Sequence, residues 1–273
     1  ARELDPASLP TRTFVNEHLT FTHGMGLTLG PSNEFTAQGL PVLWMQDLPP
    51  TSTITQQVGR PQIYFGELDR TWVLAPSRQR EFDFPSAEGD EAEYSTYAGR
   101  AGVPLSSYGR KLAFALRFGS MNILLSSDLT DSTRILFNQQ VRKRAQLALP
   151  FLAFDNDPYL VVTDSGRLVW MLDAYTATDR YPYSARTSDG LNYLRNSVKV
   201  AVDAYDGDIR AWLVDAADPM INTLSKIYPD LLRPLADMPA DLRAHMRYPE
   251  DLFRAQTGLF ATFHMTDPET FYH

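Results

Sequence analysis

The sequence predicts an α+β fold, in which an antiparallel sheet built from hairpins packs with several helices. Over 159–173 and 198–214 the pattern changes to a period of two, with Leu168, Trp170 and Leu172 on one face of the first stretch and Val198, Val200 and Val202 on one face of the second, as in strands. Apolar residues recur at helical spacing over 105–118 and again beyond Pro249. Strands and helices do not alternate as they do in βαβ folds, so an antiparallel sheet is the expected architecture.

Two hairpins form the predicted sheet. The first covers 159–173 and turns at Asp164-Ser165-Gly166. The second covers 198–214, and its turn contains Asp206-Gly207. This dipeptide predicts a type I′ turn, because both of its residues tolerate a positive φ.

Helices are predicted on both sides of the hairpins. They are expected after Pro104 up to Gly119, from Asp131 or Ser132 to Pro150, at 219–227, at 239–246, and from Pro249 onward. Asp267 before Pro268 is typical of the start of one more helix. Because the chain also starts at Ala1 without a signal segment, we expect it to be an excised part of a longer protein.

Composition limits the class of protein. The chain has 273 residues, 44% of them apolar, which is enough for a substantial core. We expect a single domain over 1–273, with a possible subdivision near residue 150 into a loop, strand and helical part (1–150) and a part with the hairpin sheet and C-terminal helices (151–273). The 25 basic and 33 acidic side chains give a net charge of −8, which argues against a nucleic-acid partner.

Common catalytic signatures are absent from the sequence. It contains no cysteine, no P-loop, no G-x-S-x-G nucleophile elbow and no H-E-x-x-H zinc motif. His18 and His23 could share a metal only through a loop, because a spacing of five does not place them on one helix face. No catalytic residue is therefore predicted.

Carboxylates near the first hairpin form a candidate metal site. Asp155 and Asp157 precede the hairpin, and Asp173 and Asp179 follow it. Four oxygen-bearing side chains at one sheet edge could hold a hard cation such as Ca²⁺, although carboxylates that cap turns give the same pattern. The pairs Asp173 with Asp179 and Asp155 with Asp157 also allow an alternative, an envelope hydrolase of the glycosidase type that uses paired carboxylates.

The segment after the first hairpin is a candidate ligand-binding loop. It combines aromatic, acidic and basic side chains at Tyr175, Asp179, Arg180, Tyr181 and Tyr183. Rings that stack on apolar faces and charges that fix orientation suit the recognition of a sugar or a peptide. The same composition suits a loop packed by its own side chains, which is the interpretation we favour.

Several long stretches resemble one protein family. They are THGMGLTLGPSNEFTAQGLPVLWMQDLPP, QIYFGEL, EFDFP, RKLAFALRFGSMNILLS, DAYTATDRYPYS, NYLRNSVKVAVDAYDG and RYPEDLF. Together they resemble uncharacterised protein family 0182, a group of large bacterial membrane proteins. The resemblance implies several N-terminal transmembrane helices followed by a large extracytoplasmic region, of which this chain would be the first part. It implies no reaction, ligand or catalytic residue.

These expectations combine into a functional hypothesis. We expect a region of a cell-membrane protein that lies outside the cytoplasm. We expect it to be a noncatalytic binding or scaffold module for an envelope glycan, a partner protein or the remainder of its own membrane protein. The envelope hydrolase remains the alternative.

Overall fold

A computed structural model describes residues 1–9, 11–86, 92–187 and 190–272. The strands are β1 (Gly24–Met25), β2 (Met45–Gln46), β3 (Thr51–Ser52), β4 (Gln62–Ile63), β5 (Trp72–Ala75), β6 (Glu81–Pro85), β7 (Ala92–Ser95), β8 (Val103–Pro104), β9 (Arg134–Phe137), β10 (Ala153–Phe154), β11 (Tyr159–Val162), β12 (Leu168–Thr178), β13 (Tyr193–Asp203), β14 (Ile209–Leu213) and β15 (Arg233–Pro234). The α-helices are α1 (Tyr108–Phe118), α2 (Asn122–Leu125), α3 (Val141–Ala148), α4 (Pro219–Ile227), α5 (Ala240–Ala244), α6 (Glu250–Phe263) and α7 (Pro268–Tyr272). The α+β class is confirmed.

The main sheet contains the two predicted hairpins. Its strand order is β10-β12-β13-β14-β15, and β11 pairs with β12. The β10–β12 pair is antiparallel, whereas the short β15 runs parallel to β14. Residues 168–176 of β12 are all buried, so both faces of this strand are covered rather than one.

The turn of the second hairpin differs from the prediction. Only Gly207 has a positive φ, of 65°, and Asp206 does not. The carboxylate of Asp203 accepts hydrogen bonds from the backbone N–H groups of Tyr205 (3.0 Å) and Asp206 (2.8 Å). This side chain stabilises a longer turn that closes at Asp208, so the type I′ prediction was wrong.

Helix boundaries follow the capping residues. Gly119 ends α1 with a φ of 65°, as predicted, and Ser107 caps its start. The helix expected from Asp131 was wrong at its start, because 134–137 form β9 between β5 and β8. The helix α3 begins only at Val141. Ile135 and Leu136 of β9 are fully buried, so the tertiary pairing of this segment overrides its helical spacing.

The chain divides into two compact units. Unit 1 comprises Ala1–Arg144, Leu160–Trp170 and Val202–Asp208, and its core includes Leu74, Leu105 and Ile135. Unit 2 comprises Ala145–Tyr159, Met171–Ala201 and Ile209–His273, and it carries the segments that line the groove described next. Among the described residues, no helix combines the length and apolar character needed to cross a bilayer.

Candidate functional site

An open groove lies in unit 2 at the start of α6. Its volume is about 610 Å³, and it is lined by Arg247, Tyr248, Glu250, Phe253 and Gln256. Tyr248 and Phe253 are each 56% exposed, which is unusual for large aromatic side chains. The groove therefore offers two accessible ring faces beside a guanidinium, a carboxylate and an amide.

Polar contacts within the groove fix its walls. The hydroxyl of Tyr248 donates to Oε1 of Gln256 at 2.5 Å. This contact uses the amide oxygen of Gln256, and its amide nitrogen can donate two hydrogen bonds. Glu250 pairs with Arg254 one helical turn later. The carboxylate of Glu250, an acceptor, and the amide nitrogen of Gln256, a donor, thus lie on the same helix as the ring of Phe253.

A buried carboxylate anchors the helix that forms the groove. Oδ2 of Asp155 accepts the backbone N–H of Asp251 in the first turn of α6, at 3.0 Å. Asp251 in turn accepts hydrogen bonds from the backbone N–H (3.0 Å) and the side-chain amide (2.9 Å) of Asn156. Negative charge at a helix N-terminus satisfies open N–H groups and interacts favourably with the helix dipole. Asp155 and Asp251 therefore hold the start of α6 in place.

Arg247 connects the groove to the strands of unit 2. Its guanidinium lies 4.1 Å from the ring centre of Tyr159 and donates to the carbonyl oxygen (2.7 Å) and Oδ2 (2.5 Å) of Asp157. Its own carbonyl oxygen accepts a hydrogen bond from Nζ of Lys199 at 2.9 Å. Such a cation over an aromatic ring adds roughly 0.5–2 kcal/mol. Arg247 is thus fixed at both its side chain and its backbone.

Lys199 and Asp173 form a buried ion pair below Arg247. Their side chains are 3% and 2% exposed, and Nζ of Lys199 donates to Oδ1 of Asp173. Burial raises the pKa of Asp173, while the neighbouring ammonium group favours its charged form. Because a buried charge is tolerated only with a partner, each member of this pair requires the other.

Tyr175 belongs to the same cluster, which we call the anchor cluster (Asp155, Asp157, Asp173, Tyr175, Lys199 and Arg247). The hydroxyl of Tyr175 donates to Oδ2 of Asp155. Burial opposes the charge of Asp155, but hydrogen bonds from Tyr175 and from the amides of Asp251 and Asp157 hold its pKa below the usual value. Burial and the adjacent carboxylate both raise the pKa of Tyr175. Tyr175 therefore stays protonated and acts as a donor.

The structure brings three of the four predicted metal ligands into the anchor cluster. Asp155, Asp157 and Asp173 each have protein partners there, whereas Asp179 pairs with Arg180 and Arg186 at 3.8 Å in the following loop. Within the described ranges, no group of three or more histidine or carboxylate side chains has the geometry to hold a metal ion. Calcium at these carboxylates stays a prediction.

The predicted ligand-binding loop is exposed. Asp179, Arg180, Tyr181 and Tyr183 lie together in it, and Tyr183 is fully exposed with a φ of 57°. The ring of Tyr181 stacks on Tyr193 of β13 at 5.3 Å between centroids, whereas Tyr183 is fully exposed, so the interpretation of a loop packed by its own side chains was wrong for Tyr183. Tyr175 is buried in the anchor cluster and is not part of this surface.

Sequence reasoning missed the residues that line the groove. The helical pattern beyond Pro249 places Gln256 and Phe253 on adjacent lines of α6, but nothing in it shows that this face is exposed. Lys199 lies in a strand among alternating valines, where a lysine is expected at the surface, yet it is buried. A lone lysine inside an apolar strand was the available signal for a buried ion pair.

Comparison with known proteins shows the family. The sequence model of the uncharacterised protein family UPF0182 matches residues 1–273. The chain belongs to this family. UPF0182 proteins from Geobacter sp. (strain M21) and Pelotomaculum thermopropionicum are 47% and 45% identical to it over 272 and 275 residues. A UPF0182 protein from Sulfurovum sp. (strain NBC37-1) is 43% identical over 280 residues.

The chain spans only part of these UPF0182 relatives. Each alignment covers 100% of this chain and 30% of the relative. About 70% of each relative therefore lies outside the matched region. No solved structure matches the chain.

Proposed function

We propose that this UPF0182 chain is a noncatalytic binding module, part of the extracytoplasmic region of a membrane protein, and that it binds a saccharide of the cell envelope. The observation that carries the proposal is the groove with Tyr248 and Phe253 exposed beside hydrogen-bonding side chains. The extracytoplasmic location is part of this proposal, and the family resemblance supports it.

The chemistry of the groove suits a sugar ring. The apolar C–H face of a sugar packs on aromatic rings, and its hydroxyl groups need donors and acceptors around the edge. Phe253 and Tyr248 supply the rings, while Gln256, Glu250 and Arg247 supply the edge. A volume of about 610 Å³ lies within the range of small-molecule sites, roughly 300–1,000 Å³.

The anchor cluster supports binding more than hydrolysis. Asp155 and Asp173 are each 2% exposed, and both are bound by protein donors. A glycosidase needs two carboxyl groups that reach the scissile bond from either side. The hydrolase alternative therefore finds no support in these two residues, whose observed contacts position the groove.

Calorimetric titration with soluble envelope saccharides, beginning with the N-acetylglucosamine trimer chitotriose, tests the proposal. Phe253→Ala should weaken binding at least about tenfold, because a ring platform is lost. Phe260→Ala removes an exposed ring of the same helix that does not line the groove, and should bind as the wild type does.

Two outcomes would contradict the proposal that the groove binds the saccharide. One is that no saccharide of the panel binds. The other is that Tyr183→Ala abolishes binding while Phe253→Ala does not, which would place the saccharide on the loop that contains Asp179, Arg180, Tyr181 and Tyr183.

A second function is favoured by another surface of the chain. Helices α1 and α2 expose several apolar side chains: Tyr108, Leu112 and Leu116 at helical spacing in α1, then Met121 just before α2 and Leu125 at its end, with exposed fractions from 40% to 75%. Because about 70% of each relative lies outside the matched region, we propose that the remainder of the same polypeptide covers this face. Amide hydrogen exchange in α1 and α2 should be slower in the full-length protein than in this chain. Equal exchange would contradict the scaffold role.

A further inference from the structure

A second cleft lies in unit 1, and it shares no lining residue with the groove. Its volume is about 470 Å³. The side chains that matter for its chemistry are Asp5, Arg12, Glu17, His18, Asp69 and Trp72. None of them contributes to the groove or to the anchor cluster, so the cleft needs its own explanation.

The imidazole of His18 is held in one orientation and one tautomer. Its ring stacks on the indole of Trp72 with 3.6 Å between centroids and 2° between planes. Its Nδ1 lies 2.9 Å from the carbonyl oxygen of Trp72. Because a carbonyl oxygen only accepts, Nδ1 carries the hydrogen, and Nε2 of the neutral ring is an acceptor.

Burial keeps this ring neutral. It lowers the pKa of His18 below the usual 6.5, against smaller opposing effects from the Trp72 carbonyl group and Glu17. At neutral pH the cleft therefore contains an uncharged, oriented acceptor. Groups that accept a proton or a hydrogen bond from a ligand are held in this way at many binding sites.

The backbone around His18 has an unusual geometry. Asn16–Thr20 form one turn of π-helix, in which the N–H of Phe21 donates to the carbonyl oxygen of Asn16 at 3.0 Å. Turns of π-helix are rare and occur frequently at functional sites. His18 lies at the centre of this turn, so the irregular backbone sets the position of the imidazole.

The charges of the cleft favour a cation. Three carboxylates, of Asp5, Glu17 and Asp69, and two guanidinium groups, of Arg12 and Arg70, line it, which leaves one net negative charge. Arg12 is paired with Glu17 at 2.6 Å. Arg70 donates to backbone carbonyl groups and is 8% exposed. The carboxylate of Asp69 lies 3.9 Å from Nζ of Lys143, beyond direct hydrogen-bond distance, and its side chain is 72% exposed, so it keeps positions open to a ligand.

We propose that this cleft binds a small organic ammonium compound, whose N–H group donates to Nε2 of His18 while Asp69 and Asp5 balance its charge. A metal ion is a poorer match, because within the described part of the chain no set of three ligating side chains converges. A neutral acceptor beside excess carboxylate instead matches a group that is at once a donor and a cation.

Nitrogen-15 NMR of the histidine rings tests the proposal with ethylammonium chloride as the probe. The Nε2 resonance of His18 should shift on titration while Nδ1 keeps its hydrogen. Tetramethylammonium chloride has the same charge but no N–H donor, and should leave Nε2 unchanged. Absence of a shift with ethylammonium, or an equal shift with tetramethylammonium, overturns the proposal.

Substitutions in the cleft test which side chains bind ethylammonium. Asp69→Asn changes an exposed side chain and should weaken ethylammonium binding several-fold, while His18→Gln should weaken it about tenfold. His245→Gln, which changes an exposed histidine of unit 2, is the matched control and should bind as the wild type does. Unchanged binding in both Asp69→Asn and His18→Gln overturns the assignment.

Discussion

Lys199→Met should lower the free energy of unfolding by about 3–5 kcal/mol, the range for breaking a buried ion pair by removing one partner. The reason is the carboxylate of Asp173, which is 2% exposed and would lose its counter-ion. The carbonyl oxygen of Arg247 would lose its donor in the same variant. Urea denaturation followed by circular dichroism measures the change.

Two further variants make this prediction specific. Lys226→Met removes an exposed lysine of α4 and should change the free energy of unfolding by no more than about 0.5 kcal/mol. The double variant Lys199→Met with Asp173→Leu replaces the pair by apolar side chains, and should recover most of the loss because no buried charge is left alone. A loss below about 1 kcal/mol for Lys199→Met would refute the reasoning.

Three other predictions concern buried titratable groups. In one NMR titration, His18 should titrate below 6.5 because burial dominates, and His23 above it because Asp83 and Glu81 outweigh burial. The stabilisation from protonated His23 is then present below pH 6.5 and is lost as the pH rises through the folded-state pKa; the opposite order of the two histidines would contradict this. Asp218→Ala should destabilise the protein by about 3 kcal/mol in urea denaturation, because the hydroxyl of Ser197 and the backbone N–H of Met220 in the first turn of α4 lose their acceptor. Hydrogen bonds to its carboxylate outweigh burial and lower the pKa of Asp218. The wild type should therefore lose its higher free energy of unfolding relative to Asp218→Asn as the pH falls from 3.8 through the folded-state pKa. If Ca²⁺ binds at Asp155, it should raise the melting temperature of the wild type but not of Asp155→Asn, and an unchanged wild type contradicts the calcium prediction.

Local signals predicted much of the fold. Gly119 and Pro219 correctly indicated one end of α1 and one end of α4, because the backbone preferences of glycine and proline act locally, whatever lies around them. The prediction of a helix that starts at Asp131 was wrong because strand pairing is a long-range interaction. Spacing within 134–137 cannot show that β5 and β8 lie on either side.

The candidate site was harder to predict from sequence. The structure brings Asp155, Asp157 and Asp173 together, with Asp173 in the middle of β12, but their partners Lys199 and Arg247 are distant in sequence. A carboxylate that holds a helix and one that awaits a cation look identical without those partners. Exposure of aromatic rings on α6 is likewise a property of the packed molecule.

The central claim, that a saccharide packs on the rings of the groove, is tested most directly by NMR contacts between ligand and protein protons. Nuclear Overhauser effects between the C–H protons of bound chitotriose, or of whichever panel saccharide binds, and the ring protons of Tyr248 and Phe253 are the predicted result. Contacts to Tyr181 and Tyr183 instead, with none to the groove, would contradict it.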